Sequence, residues 1–121
     1  MTKALGLACL ILVAYCVEAT ARCSMPTVRT LENQTVDGRM WADSGKPCRI
    51  RFISSSGPMF SIEIVQRPTN GTLQLAENHN LIYTSRRGFV GSDSFIYARR
   101  GESRGGAPVT RTVRVAVTVS P

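Results

Sequence analysis

The chain has one histidine, one tryptophan and two lysines, and beyond residue 17 it has no long apolar run. The single histidine limits acid–base chemistry. A Ser-His-Asp triad would have to use His79 as its base, and no G-x-S-x-G turn is present to carry a nucleophile. His79 lies in "AENHN" (76–80), a loop of hairpin length where a solvated histidine is ordinary, so a hydrolase using His79 is a remote alternative. No P-loop or dinucleotide fingerprint occurs. There is no D-x-D-x-D-G run, which excludes an EF-hand calcium loop. Aromatics make up 7% of the chain and do not interleave with basic residues, which argues against a nucleic-acid stacking platform. No cofactor is implied by any of these residues. A helical period is also missing after residue 22.

The N-terminus has a plan of its own. "MTK" carries one positive side chain, "ALGLACLILVAYCV" (4–17) is apolar, and "ATA" (19–21) fits the small-x-small rule for cleavage. The apolar stretch falls short of the roughly 18–20 residues that span a bilayer. Residues 1–21 therefore read as a secretory signal peptide, and residues 22–121 as a single domain with no membrane span after cleavage. An anchor formed by an uncleaved N-terminal segment is the alternative. A lipoprotein would need a small residue before the modified cysteine, but Tyr15 precedes Cys16 and Arg22 precedes Cys23. The expected location is periplasmic or extracellular.

Two excesses follow. Arginine is abundant, with thirteen, and the net charge is +7. Lys3 and Glu18 cancel, so residues 22–121 carry the same charge. A bias of this size favours polyanions such as acidic polysaccharide, and otherwise serves as a solubilising surface. After cleavage two cysteines remain, Cys23 and Cys48. In an exported protein one disulfide is the default, closing a loop of about 26 residues and worth roughly 3.5 kcal/mol. Two free thiols or a metal pair are the other options; one histidine and distant cysteines argue against zinc.

Alternation with period two predicts strands throughout. In "VTRTVRVAVTVS" (109–120), Val109, Val113, Val115, Val117 and Val119 point one way, and Thr110, Thr112, Arg114, Ala116 and Thr118 the other. Arg111 interrupts the apolar face. "CRIRFIS" (48–54), "MFSIEIVQR" (59–67), "TLQL" (72–75), "LIYT" (81–84) and "SFIYAR" (94–99) are further strands, divided by "SSSGP", "PTNG", "AENHN", "SRRGFVGSD" and "RGESRGGAP". "TVRTL" (27–31) and "GRMWA" (38–42) are candidates nearer the start, with Trp41 covering one end of the core. About seven short strands imply an all-β, Ig-like antiparallel β-sandwich.

The run "RPTNGTLQL...LIYTSRRGFVGSDSFIY", closing on "TVRVAVTVS", resembles the bacterial Ig-like and cadherin-like modules of exported proteins. Their pattern is P-x-x-G-T-L, then Y-T-P, then G-F-x-G-x-D-S-F-x-Y and a final Val/Thr strand. The match covers Arg67 to Ser120. The resemblance implies a non-catalytic module, often found in tandem. Two positions depart from it. Ser85 stands where the pattern has proline, and Gly101 where it usually has an acid, with Glu102 one place late. Calcium, bound by some cadherin-like relatives, loses a ligand there.

Asp93 is the residue most open to a chemical reading. Calcium needs six to eight oxygens, and only Ser92 and Ser94 flank Asp93. A structural turn built on Gly91, Asp93 and Tyr97 is the expectation, with the carboxylate accepting from turn N–H groups or facing Arg86 or Arg87. If the later strands run antiparallel, "AENHN", "RGESRGGAP" and "SSSGP" share one pole and "SRRGFVGSD" lies at the other, about 20 Å away. The candidate anion-binding loop is then Arg99, Arg100 and Arg104 with His79. Its expected partner is an anionic polysaccharide or envelope component, or another protein. A structural envelope or matrix component without a discrete ligand is the second reading.

Overall fold

Valine alternation builds the central strand. In β8 (Pro108–Ser120), Val109, Val113, Val115, Val117 and Val119 are all buried, while Arg114, Ala116 and Thr118 are exposed. β-branched side chains suit a pleated surface covered on one face, and each buried valine contributes about 1.5–3 kcal/mol. The computed structural model describes residues 22–50, 59–76 and 80–121. The expected signal peptide at 1–21, the expected "SSSGP" turn and His79 with most of its loop lie outside the described residues.

The other strands are β1 (Cys23–Ser24), β2 (Thr35–Asp43), β3 (Pro47–Ile50), β4 (Met59–Gln66), β5 (Gly71–Ala76), β6 (Asn80–Ser85) and β7 (Gly91–Glu102). They form a five-stranded sheet in the order β1-β2-β8-β7-β4 and a three-stranded sheet in the order β3-β6-β5. The fold is all-β, two sheets closing on one core. Met40, Ala42, Phe95, Tyr97 and the β8 valines come from the larger sheet; Cys48, Ile50, Leu73, Leu81 and Tyr83 come from the smaller. Tyr83 stacks on Phe95 across the gap, with centroids 5.8 Å apart.

β2 and β8 pair in parallel, from Thr35↔Thr112 to Asp43↔Ser120, whereas the other pairings among the described residues are antiparallel. Cys23 and Cys48 form the disulfide, with Cα atoms 5.4 Å apart. It ties β1 of the larger sheet to β3 of the smaller, so it links the two layers at one side.

Three sequence expectations change. "TVRTL" is not a strand. Pro26 has no N–H to extend the β1–β2 ladder, and Val28 instead packs where Gly38 has no side chain. A Cβ at Gly38 would lie 2.9 Å from Val28 Cγ2. Trp41 does not cover the core. Met40 and Ala42 take the inward positions of β2, so Trp41 stands on the outer face, half-buried. "RGESRGGAP" is strand at both ends, because β7 and β8 stay paired out to Glu102↔Pro108. Only the turn at 103–107 is left. It is closed by Ser103 N–H to Ala107 O at 2.8 Å and Gly106 N–H to Ser103 O at 2.9 Å.

Candidate functional site

At one end of the sandwich the turns 44–46, 67–70 and 86–90 converge around Asp93. Asp93 is 9% exposed. Oδ1 accepts from the N–H of Thr69 at 3.0 Å and of Ser94 at 2.9 Å. Oδ2 accepts from the Asn70 N–H at 3.1 Å and the Tyr83 hydroxyl at 2.8 Å. Four donors fill the lone-pair sites a carboxylate offers. Asp93 is on β7 and Tyr83 on β6, so the group joins the two sheets and holds the turn between β4 and β5. Burial first, then the bond to Asp93 and its charge, hold the Tyr83 hydroxyl proton well above the usual tyrosine range.

The surrounding residues fit the same arrangement. A Cβ on Gly71 would lie 2.6 Å from Thr84 O, so β5 approaches β6 more closely there than a side chain allows. Gly91, at φ 141, starts β7 in a conformation L-residues rarely adopt. Ser85 Oγ accepts from Gly45 N–H at 2.8 Å and Ser44 Oγ from Gly88 N–H at 3.0 Å, which fastens the first turn to the third. Arg86 and Arg87 are exposed, and the Arg86 guanidinium lies 5.8 Å over Phe89. Among the described residues no group of three His, Cys, Asp or Glu side chains could hold a metal ion.

Tyr83 was missed from sequence as Asp93's partner. The signal was there, in the tyrosine of the "LIYT" strand ten residues before Asp93. Tyr97 lies further along β7, on the inward face, and burial pushes its hydroxyl up to about 12 despite the opposing charge of Arg99.

The predicted arginines sit at the opposite end and do not share one face. Arg99 is directly across from Arg111 in the β7–β8 ladder, on the side that carries Tyr97, Val109 and Val113. Arg99 donates to Thr30 Oγ1 at 3.3 Å, and Arg111 pairs with Glu32 at 3.4 Å. Burial lowers the proton affinity of Arg99 and the charge of Arg111 adds to this, against an opposing effect from Tyr97. A cleft of about 520 Å³ opens beside Arg99, with Tyr97, Thr30, Arg49 and Ser24 on its walls. Arg100 points outward and pairs with Glu63 at 2.9 Å, both side chains well exposed. Arg104 is exposed on the 103–107 turn. His79 lies outside the described residues.

Comparison with known sequences gives one family. A search of curated proteins finds no match. The family model described as bacterial Ig domain matches residues 20–117, which spans the eight described strands except the last residues of β8. With most of its length matched and a two-sheet all-β fold around a single core, the chain belongs to the bacterial Ig domain family.

Proposed function

We propose that this chain is an exported, non-catalytic Ig-like module, residues 22–121 behind a cleaved segment 1–21, and that it contacts an anionic partner through the end of the β7–β8 hairpin. The observation that carries the reading is the concentration of cations there. Arg99, Arg100, Arg104 and Arg111 all fall on one antiparallel hairpin, and the ladder keeps it ordered to Glu102↔Pro108. A paired hairpin presents its charges with less conformational freedom to lose than a flexible loop would. The disulfide supports an oxidising location, periplasmic or extracellular. An anionic polysaccharide or other envelope component is the partner class that the charge favours.

The test is retention on immobilised heparin across a salt series. The wild type elutes later than an Arg99/Arg100/Arg104→Ser variant if the hairpin is the contact. Equal elution of the two removes the reading. A second reading, a structural module without a discrete ligand, is favoured by Glu63 and Glu32. They already pair with Arg100 and Arg111 and reduce the charge this end offers. Saturable binding that weakens in the variant separates the first reading from the second.

A further inference from the structure

The outer face of the five-stranded sheet carries the chain's one tryptophan, set among small residues and arginines. The register fixes the layout. One row across the strands is Trp41, Thr118 and Ser92; the next is Arg39, Ala116 and Ser94; the third is Asp37, Arg114 and Ile96. Ala116 and Ser94, both exposed, make a low floor beside the indole. Residues 26–29 run along the side of this floor, and a groove of about 730 Å³ results. Trp41, Arg39, Arg29 and Arg114 stand around it.

We propose that this groove binds a carboxylated sugar chain, with one acidic pyranose ring against Trp41 and its carboxylate held by Arg39 and Arg114. The chemistry of each part points there. An indole half sunk in a flat sheet offers a rigid apolar surface to the C–H face of a sugar ring, together with an N–H donor. Serine and threonine hydroxyls on the floor match ring hydroxyls. Residues two apart on one face lie about 7 Å apart along a strand, the scale of a single sugar ring, so Arg39 is placed for a substituent of the ring that covers Trp41. Guanidinium forks suit carboxylates in geometry as well as charge. The one acid in the groove, Asp37, sits 3.7 Å from Arg114 with both side chains well exposed, a loose pair that a bound carboxylate can replace. Arg39 makes no ion pair among the described residues. A single aromatic lacks the succession of rings that a nucleic-acid strand would stack on.

The site is distinct from the hairpin end, and Trp41 reports on it alone. The experiment is a tryptophan-fluorescence titration of the purified chain with oligogalacturonate, a neutral maltooligosaccharide of equal length and single-stranded oligonucleotide. The expected result is a saturable change in Trp41 emission with oligogalacturonate only. Arg39→Ser and Arg114→Ser should each weaken it about tenfold, as for hydrogen bonds to a charged group. The Arg99/Arg100/Arg104→Ser variant should titrate like the wild type, so failure of the hairpin reading and failure of this one are told apart. Trp41→Ala, made in the Arg99/Arg100/Arg104→Ser background and checked for native circular dichroism, should lose the binding that calorimetry still measures in that background. An absent emission change, an equal response to the neutral sugar, a response to the oligonucleotide instead, or unchanged affinity in Trp41→Ala each overturns the proposal.

Discussion

The Tyr83 hydroxyl donates to Asp93 Oδ2 at 2.8 Å, from the smaller sheet to the larger. The same carboxylate accepts two backbone N–H groups of the β4–β5 turn. One acid therefore fixes a turn, a strand start and the spacing of two layers. Tyr83→Phe removes one of four donors and should cost about 1–2 kcal/mol. Asp93→Ala strands four buried or half-buried donors and should cost about 3–5 kcal/mol. Urea unfolding measures both. Equal stability of Asp93→Ala and wild type would remove the clasp from the account. Added calcium should leave the wild-type midpoint unchanged, because the Asp93 oxygens are already engaged.

The close approach of β5 to β6 makes a sharp steric prediction. Gly71→Ala would push a methyl to 2.6 Å from the Thr84 carbonyl, and backbone must move to admit it. The expected loss is about 1–3 kcal/mol. Gly105→Ala is the control, since its nearest neighbour would be Ser103 Oγ at 3.9 Å. Thermal unfolding should separate the two variants clearly. A Gly71→Ala protein as stable as Gly105→Ala contradicts the register drawn between β5 and β6.

The disulfide spans 25 residues and joins the two sheets. Loop closure of that length is worth about 3.5 kcal/mol. For a domain of this size each kcal/mol moves the midpoint by roughly 4–8 °C. The Cys23→Ser/Cys48→Ser double variant should therefore melt more than about 10 °C lower. Calorimetry in oxidising and reducing buffer gives the same comparison for the wild type.

Alkaline stability follows from the tyrosines. Burial raises Tyr97 to about 12 in the fold, and Tyr83 is raised as well, from an ordinary value near 10. Groups raised in the folded state lend stability that is complete below the unfolded value and is lost as pH climbs through the folded one. Stability should hold up to about pH 10 and fall steeply above it. Tyrosinate absorbance should rise together with unfolding, and Tyr97→Phe should shift that fall to higher pH. Gradual ionisation at pH 10 in a protein that stays folded would contradict the burial of both rings.

Much of this architecture could be read from the chain, and the misses have physical causes. The β8 valines declared their face because alternation records burial directly. Asp93 was legible as a turn residue because Gly88 and Gly91 precede it closely. The backbone donors from Thr69 and Asn70 lie more than twenty residues away in sequence, so the clasp itself was not. Alternation shows which way side chains point but not which strand is the neighbour, so the parallel β2–β8 pairing was hidden. "TVRTL" has no partner strand and stays irregular. Gly101 and Glu102 read as loop residues by propensity, yet pairing with Pro108 and Val109 carries β7 through them. The arginines after Tyr97 looked like one patch. Within a strand, neighbours face opposite ways, and Arg99 and Arg100 are divided accordingly.

The claim that the hairpin end contacts a polyanion is tested most directly by the salt dependence of heparin-oligosaccharide affinity, measured by calorimetry for the wild type and for Arg99/Arg100/Arg104→Ser. Each cation that displaces a counterion adds about one to the slope of log affinity against log salt. Arg100 is shared with Glu63, so the predicted result is weaker binding in the variant and a slope smaller by about two. The same affinity and the same slope in both proteins would contradict it.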